Sequence, residues 1–131
     1  MLTYFTVTTA NEILPKVIEK YKNLQKQKQE IQKLEAHLNS QNSHKLADYV
    51  AIKQQLNSAI TKFYAAVEDL ENTGVVLKSL DEGLLDFPSK RFDEDVWLCW
   101  KEGEKEIKFW HEKDVGFMGR KPLSVADESL V

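Results

Sequence analysis

The residues best suited to chemistry lie near the C-terminal end, where a histidine and an aspartate are three positions apart. His111 and Asp114 could converge in a tight turn, as a general base with its orienting carboxylate or as two metal ligands. Asp81 and Asp86, in the segment DEGLLDFP, could add oxygen ligands from a neighbouring strand. In the alternative interpretation, His111 closes a hairpin core and hydrogen-bonds Asp114 to fix the following turn. Because the sequence lacks an HExxH motif and paired CxxC motifs, the structural role is favoured.

A second candidate is the glycine-rich run GFMGR that follows. Gly116 and Gly119 can adopt left-handed conformations, and successive backbone N–H groups with the Arg120 guanidinium would hold an anion such as phosphate or carboxylate. The alternative is a loop in which Arg120 forms an ion pair with Asp81, Asp86 or Asp114. A lone GxxGR pattern is a weak signal, so the ion-paired loop is favoured.

The single cysteine, Cys99, lies between Leu98 and Trp100 in a predicted strand. A reactive thiolate requires exposure and positively charged neighbours, whereas a cysteine in mid-strand among tryptophans more often packs as a small hydrophobic residue. We therefore assign Cys99 a structural role. One cysteine also excludes an intramolecular disulfide and fits a reducing cytoplasm.

Composition indicates a single soluble domain. Of 131 residues, 42% are hydrophobic and 30% are charged, which is enough apolar material for a modest core. No apolar run approaches the roughly 20 residues that a membrane span needs, and the N-terminus lacks the features of a secretory signal. We expect a cytoplasmic protein that does not cross a membrane.

The net charge of −3 is divided unevenly along the sequence. Residues 1–67 carry nine lysines and five acidic residues, whereas residues 68–131 carry nine basic and sixteen acidic residues. Six lysines make the middle of the first predicted helix basic: Lys16, Lys20, Lys22, Lys26, Lys28 and Lys33. Neither predicted helix contains arginine or aromatic residues interleaved for base stacking, so a solvated surface is favoured over nucleic-acid binding.

The first of two long helices must begin near Thr9. Thr9 and Glu12 match a capping box, and Pro15 is expected to kink the helix or to restart it. From Val17 to Leu38 the apolar residues recur at approximate heptad spacing.

The second helix has the cleaner pattern, with apolar steps of three and four from Leu46 to Leu70. A polar tip at residues 39–43 precedes it, and Asn42 or Ser43 is expected to cap it. Gly74 is expected to end it in a left-handed conformation. Two helices of this length predict an antiparallel hairpin with apolar surface left over for a second copy of the chain.

After Gly74 the apolar period shortens to about 2, which predicts strands. The predicted strands are Val75–Leu80, Leu84–Phe87, Val96–Trp100 and Ile107–His111. Pro88 is expected to end the second strand, and Ser89–Glu94 to form a polar connection to the third.

Gly103 determines the predicted register of the last two strands. A two-residue type II′ turn at Gly103-Glu104 would place His111 opposite Val96, on an apolar face. The opposite face would then hold Trp97, Cys99 and Trp110, which need a cover.

Four segments of the sequence resemble a known family. YFTV…ANEILP, GVVLKSLDEGLLDFP, VWLCW…GE and WHEKDVGFMGRKPL are similar to the uncharacterised prokaryotic family called domain of unknown function 2203. The resemblance extends from Tyr4 to Leu123, and its last segment is the most specific, although Lys113 stands where the family often has proline. It implies a shared fold and no particular activity.

The sequence thus predicts an α+β protein, a long antiparallel two-helix, coiled-coil-like hairpin followed by a small antiparallel β-sheet. One domain spans residues 1–131, with the helical part in 1–74, the sheet in 75–123 and a frayed tail in 124–131. We expect a non-catalytic interaction or scaffold module that dimerises through its helices, has possible protein partners and needs no cofactor. The alternative is a ligand-, anion- or metal-binding protein, or an enzyme, with its site around His111, Asp114 and Arg120. Nucleic-acid binding by the basic helix is a weaker alternative.

Overall fold

The fold is a helical hairpin followed by an antiparallel sheet, and the computed structural model describes residues 3–40 and 45–123 of it. The elements are α1 (Val7–Leu38), α2 (Leu46–Glu71), β1 (Val76–Ser79), β2 (Leu84–Arg91), β3 (Glu94–Lys101), β4 (Phe109–Glu112) and β5 (Lys121–Pro122). The five strands pair in chain order. The predicted α+β class with a helical hairpin is therefore confirmed. The predicted frayed tail, residues 124–131, lies outside the described residues.

The first helix begins earlier than predicted and does not break. Thr6 is its N-cap: the Thr6 hydroxyl accepts a hydrogen bond from the Thr9 N–H at 3.0 Å, and the Thr9 hydroxyl accepts one from the Thr6 N–H at 2.9 Å. The predicted capping box of Thr9 with Glu12 was therefore wrong by one turn. α1 also continues through Pro15, so the predicted restart there was wrong. Proline removes one backbone hydrogen bond, and the buried helical residues on either side of it outweigh that loss.

The second helix begins after Lys45, while the predicted caps Asn42 and Ser43 lie outside the described residues. Its end follows the prediction. Gly74 has a φ of +98° and donates its N–H to the Glu71 carbonyl at 3.0 Å, closing the last turn in the left-handed region. Within the described residues, no helix combines the length and apolar character of a membrane span.

The core lies at the base of the hairpin, where the helices pack on one face of the sheet. Tyr21 of α1 meets Trp100 of β3 edge to face at a centroid distance of 5.5 Å, and Phe5 meets Phe87 in the same way at 5.3 Å. The buried residues of this core include Leu14, Val17, Leu24, Leu70, Leu85, Leu98, Ile107 and Trp110. At the other end of the hairpin the first residues of α2 are exposed.

Pro88 lies inside β2 and does not end it, so the predicted strand end and the polar connection at Ser89–Glu94 were wrong. β1 pairs with β2 only as far as Asp86, and beyond it the N-terminal segment takes that edge, with Phe5 donating its N–H to the Pro88 carbonyl at 2.7 Å. The N and C=O of a strand residue point to the same side, so the missing Pro88 N–H faces this edge and not β3. Proline therefore costs the β2–β3 ladder no hydrogen bond.

The hairpin between β2 and β3 closes in two residues, Phe92 and Asp93, with φ angles of +50° and +65°. Two positive φ values define the type I′ turn that matches the twist of paired strands. Sequence reasoning missed this turn because neither residue is a glycine, the usual occupant.

The predicted β3–β4 register was wrong by one residue. His111 lies opposite Trp97, and Trp110 lies opposite Leu98. The Glu104 N–H bonds the Lys101 carbonyl at 3.0 Å, so Gly103, with a φ of +100°, is the third residue of a turn over 101–104.

The chain then continues in a loop to β4, and this loop is held by a hydrogen bond from the Ile107 N–H to the Asn11 side chain at 2.7 Å. The one-residue difference in register exchanges the two faces of β4. Trp110 lies in the core, and His111 lies on the opposite face with Trp97 and Cys99.

Candidate functional site

Three chemically active side chains share the sheet face that points away from the helices. Asp86 of β2 lies directly opposite Cys99 of β3, and His111 of β4 lies opposite Trp97, two residues before Cys99. Alternate strand residues point to the same side, so these residues form one patch on the outer face. The register slip in β4 is what brings His111 to it.

The three side chains converge and are buried on this outer face. Nε2 of His111 lies 3.1 Å from Oδ2 of Asp86. One ligand atom from each of Asp86, Cys99 and His111 lies within 4.8 Å of the other two. None of the three residues is more than 3% exposed. We refer to Asp86, Cys99 and His111 as the outer-face cluster.

The hydrogen bonds of His111 fix its tautomer. Nδ1 lies 2.9 Å from the backbone carbonyl oxygen of Glu112, which can only accept, so Nδ1 carries a proton. Nε2 and the carboxylate of Asp86 must then share one proton between them. The second carboxylate oxygen, Oδ1 of Asp86, is buried and has no hydrogen-bond partner among the described residues. An unpartnered buried oxygen is costly unless something else contacts it.

Burial dominates the electrostatics of the cluster. Burial raises the pKa of the Asp86 carboxyl, and the neighbouring His111 and Lys78 only partly oppose it. Burial also raises the pKa of the Cys99 thiol to about 12. The charge of Asp86 adds to this increase, and Arg120 opposes it. At neutral pH without a bound cation Cys99 is therefore a thiol, which makes it a poor nucleophile.

A cavity of about 230 Å³ opens onto the cluster. Its walls include Lys78 and Trp97, with the Lys78 ammonium 4.3 Å from the centre of the indole ring. The remaining wall is the segment 113–117 that follows β4, which contains Asp114 and Gly116. This segment supplies part of the cover that the outer face was expected to need.

Arg120 does not have the environment predicted for it. Its guanidinium forms a two-point ion pair with Glu104, at 3.1 and 3.0 Å, and stacks on Phe109 and Phe117 at 3.8 and 4.4 Å. The predicted ion pair of Arg120 with Asp81, Asp86 or Asp114 was therefore wrong, because its partner is Glu104.

Gly116 and Gly119 do not adopt the left-handed conformations that were considered for an anion-binding loop, because neither has a positive φ. A Cβ at Gly119 would lie 2.0 Å from the Val115 side chain, so this glycine is required for close packing.

Of the four residues proposed as metal ligands from the sequence, two lie together in the structure and two do not. Asp86 and His111 come together, and Asp114 lies exposed on the cavity wall. Asp81 instead forms an ion pair with Lys28 of α1. Cys99 was assigned a structural role and is buried as expected, but its place beside Asp86 was missed. The cross-strand pairing of β2 with β3 would have revealed it, and the sequence contained no marker for the Phe92-Asp93 turn that sets this pairing.

The structure defines an α+β protein with a helical hairpin and a buried Asp–Cys–His cluster on the outer face of its sheet. The family model described as "Uncharacterized conserved protein (DUF2203)" matches residues 3–123, and the chain belongs to this family. The comparison with curated proteins found no match. The comparison with solved structures found no match either.

Proposed function

We propose that the protein binds a divalent transition metal ion, with zinc as the best fit, through Asp86, Cys99 and His111. The single observation that supports this most strongly is the convergence of three different ligand types in the interior. Carboxylate, thiolate and imidazole are the side chains that bind zinc in proteins.

Distances within the cluster suit a metal site. Around a tetrahedral zinc ion with bonds of about 2.0–2.3 Å, ligand atoms lie roughly 3.3–3.6 Å apart. The His111 and Asp86 atoms are 3.1 Å apart, and all three ligand atoms lie within 4.8 Å of one another. Small side-chain rotations therefore suffice to close the site around an ion.

The hydrogen bond from His111 to Glu112 supports the same proposal. Metal-binding histidines almost always donate their second ring N–H to a carbonyl or carboxylate, which holds the ring and leaves the other nitrogen free to bind. Here Nδ1 donates to the Glu112 carbonyl, and Nε2 points at the cluster. An ion would displace the proton shared with Asp86 and the proton of the Cys99 thiol, so binding should release protons.

Isothermal titration of zinc into the protein tests this proposal. The wild type should bind one equivalent, and the heat should vary with the ionisation enthalpy of the buffer because protons are released. His111→Ala and Asp86→Asn should weaken binding by more than about 100-fold. Asp114→Asn is the matched control, since it removes a carboxylate from the same cavity but leaves the cluster intact. Equal loss of affinity in Asp114→Asn, or unchanged affinity in the two cluster variants, would show that the ion binds elsewhere.

A second proposed role is self-association through the helices, as a scaffold or interaction module in the cytoplasm. It is favoured by the exposed apolar residues of α2, of which Leu46 is 78% and Tyr64 is 68% exposed. These two residues are 18 positions apart, which is five helical turns, so they lie on one line of the helix, and Val50 lies close to it. A cleft of about 460 Å³ between α1 and α2 has Ile60, Phe63 and Tyr64 in its wall.

Charge favours a second copy of the chain as the occupant of this surface. The last turns of α2 are acidic, with Glu68 and Glu71 beside the ion-paired Asp69. The N-cap Lys45 and Lys53, against Asp48, leave the start of the helix with a net positive charge. Antiparallel pairing of two α2 helices would place each acidic end beside a basic end. A coiled-coil pairing of this kind would also cover the exposed apolar line.

Binding of nucleic acid by α1 is less well supported. Lys20 forms an ion pair with Asp69 at 2.5 Å, and Lys28 is paired with Asp81. Part of the basic stripe is therefore neutralised within the molecule.

Light scattering coupled to size exclusion tests the dimer. At micromolar concentration the mass should be twice the 15.2 kDa of one chain, and Tyr64→Glu should reduce it to one chain. Phe92→Glu is the control, because Phe92 is a similarly exposed aromatic residue in the turn between β2 and β3. A wild-type mass of one chain would contradict the dimer.

A further inference from the structure

The outer-face cluster supplies three protein ligands, which leaves a tetrahedral ion one position short. Zinc sites with three protein ligands keep their fourth position for water or an exogenous molecule, whereas structural sites are closed by a fourth side chain. The 230 Å³ cavity opens onto Asp86, Cys99 and His111 together. The open position would therefore face this cavity. This inference rests on the proposed metal binding.

We propose that the fourth position of the metal takes a small oxyanion, a carboxylate or a phosphate group, and that Lys78 binds the same anion. A divalent ion with one carboxylate, one thiolate and one neutral imidazole has no net charge. The cavity wall adds Lys78, Lys113 and Asp114, and Lys113 also forms an ion pair with Asp95 at 3.9 Å. Lys78 therefore supplies the positive charge that favours an anion at the open position.

Lys78 is well placed for this contact. It lies on β1 at an irregularity in the pairing with β2, and its side chain lines the same cavity as the three cluster residues. Its ammonium packs on the Trp97 ring at 4.3 Å and is close enough to favour the charged form of Asp86. The indole ring holds the ammonium beside the cavity and leaves its N–H groups free to bind an anion at the metal.

The size and walls of the cavity limit the anion. A volume of about 230 Å³ is below the range of about 300–1,000 Å³ typical of drug-sized ligands, so a molecule of only a few heavy atoms fits. Leu84, Val115 and Phe117 provide apolar contacts opposite the lysines. A recess of about 90 Å³ shares Trp97 and Lys113 with the cavity, and Asp95 in its wall favours an uncharged extension of the anion.

The test uses the full chain loaded with one equivalent of cobalt(II), whose visible absorption reports its coordination. Acetate and inorganic phosphate are titrated separately at constant ionic strength, with perchlorate, a weakly coordinating anion, as the salt control. At least one of the two oxyanions should produce a saturable spectral change, and perchlorate should not. The stronger of the two distinguishes a carboxylate from a phosphate ligand.

Lys78→Ala should weaken the apparent affinity for the oxyanion by about fivefold or more, because it removes a charged hydrogen-bond donor from a partly exposed site. Lys62→Ala on α2 is the matched control and should behave as the wild type. Cobalt affinity should be similar in both variants, since neither residue is a metal ligand.

The outcomes separate the two proposals. If cobalt binds at the cluster but neither oxyanion changes the spectrum, or if Lys78→Ala responds as the wild type does, the oxyanion site is wrong and metal binding stands. If cobalt does not bind, both proposals are wrong.

Discussion

Asp86 and His111 form a buried pair in which the geometry allows one shared proton. The Nδ1 proton of His111 is committed to the Glu112 carbonyl, and Oδ1 of Asp86 has no partner among the described residues. A carboxylate held in this way is costly for the fold, because a charge has been moved out of water without full compensation. Such costs are common where a site is kept for binding. Each residue could be named as a candidate from the sequence, but their contact with Cys99 depends on strand register.

Replacement of Asp86 by asparagine should separate stability from binding. Burial raises the folded-state pKa of Asp86, so the stability that its protonated form contributes is complete below the unfolded pKa of about 3.9. That contribution is lost as the pH rises through the higher folded-state pKa. Asparagine never ionises, and its amide N–H can donate to Nε2 of His111. Relative to the wild type, the metal-free Asp86→Asn variant should therefore gain roughly 1 kcal/mol between pH 4 and pH 8.

Urea unfolding of the metal-free proteins across this pH range measures the difference. Asp114→Asn is the control, because Asp114 is exposed and its replacement should give a difference that hardly changes with pH. A constant stability difference between Asp86→Asn and the wild type would contradict the assigned burial cost.

At the scale of elements, the spacing of apolar residues predicted which segments form helices and which form strands. The steps of three and four along α2 and the period of two after Gly74 gave the helices and the sheet correctly. The predictions failed where a single hydrogen bond or a neighbouring segment determines where a strand ends or which turn forms. The N-terminal segment allows Pro88 inside β2, and the bond from Glu104 to Lys101 makes Gly103 the third residue of its turn. Because side chains alternate along a strand, that one-residue difference moved His111 from the core face to the outer face.

The Phe92-Asp93 turn offers a test at this scale. Both residues have positive φ, which costs a non-glycine residue energy, whereas Asn-Gly suits a type I′ turn. The double variant Phe92→Asn with Asp93→Gly should stabilise the protein by roughly 1 kcal/mol. Thermal unfolding monitored by circular dichroism measures it. Phe92→Leu, which does not relieve the backbone, should give no gain. A loss of stability in the double variant would contradict the type I′ assignment.

At the scale of the whole molecule, three regions differ in what they bury and expose. The hairpin base and the inner sheet face form the core, the far end of α2 exposes apolar residues, and the outer sheet face holds the buried cluster. The amino-acid composition indicates enough apolar material for a core. It does not locate the site, because the cluster residues come from three strands and meet only through cross-strand pairing.

Metal binding at the cluster should stabilise the whole fold. The site joins β2, β3 and β4, and it exists only when these strands are paired, so an ion binds the folded state in preference to the unfolded one. Zinc at 100 times its dissociation constant should add about 2.7 kcal/mol and raise the midpoint of unfolding by roughly 8 °C for a domain of this size. The shift should shrink as the pH falls, because protons compete for the ligands. Differential scanning calorimetry with and without zinc measures both effects, and His111→Ala should show neither.

The most direct test of the account is a crystal structure of the protein grown with one equivalent of zinc, with anomalous scattering recorded at the zinc absorption edge. We predict one strong anomalous peak on the outer face of the sheet, about 2.0–2.3 Å from Nε2 of His111, a carboxylate oxygen of Asp86 and Sγ of Cys99. A map with no peak at these three residues, or with its peak elsewhere on the chain, would contradict the proposed metal site.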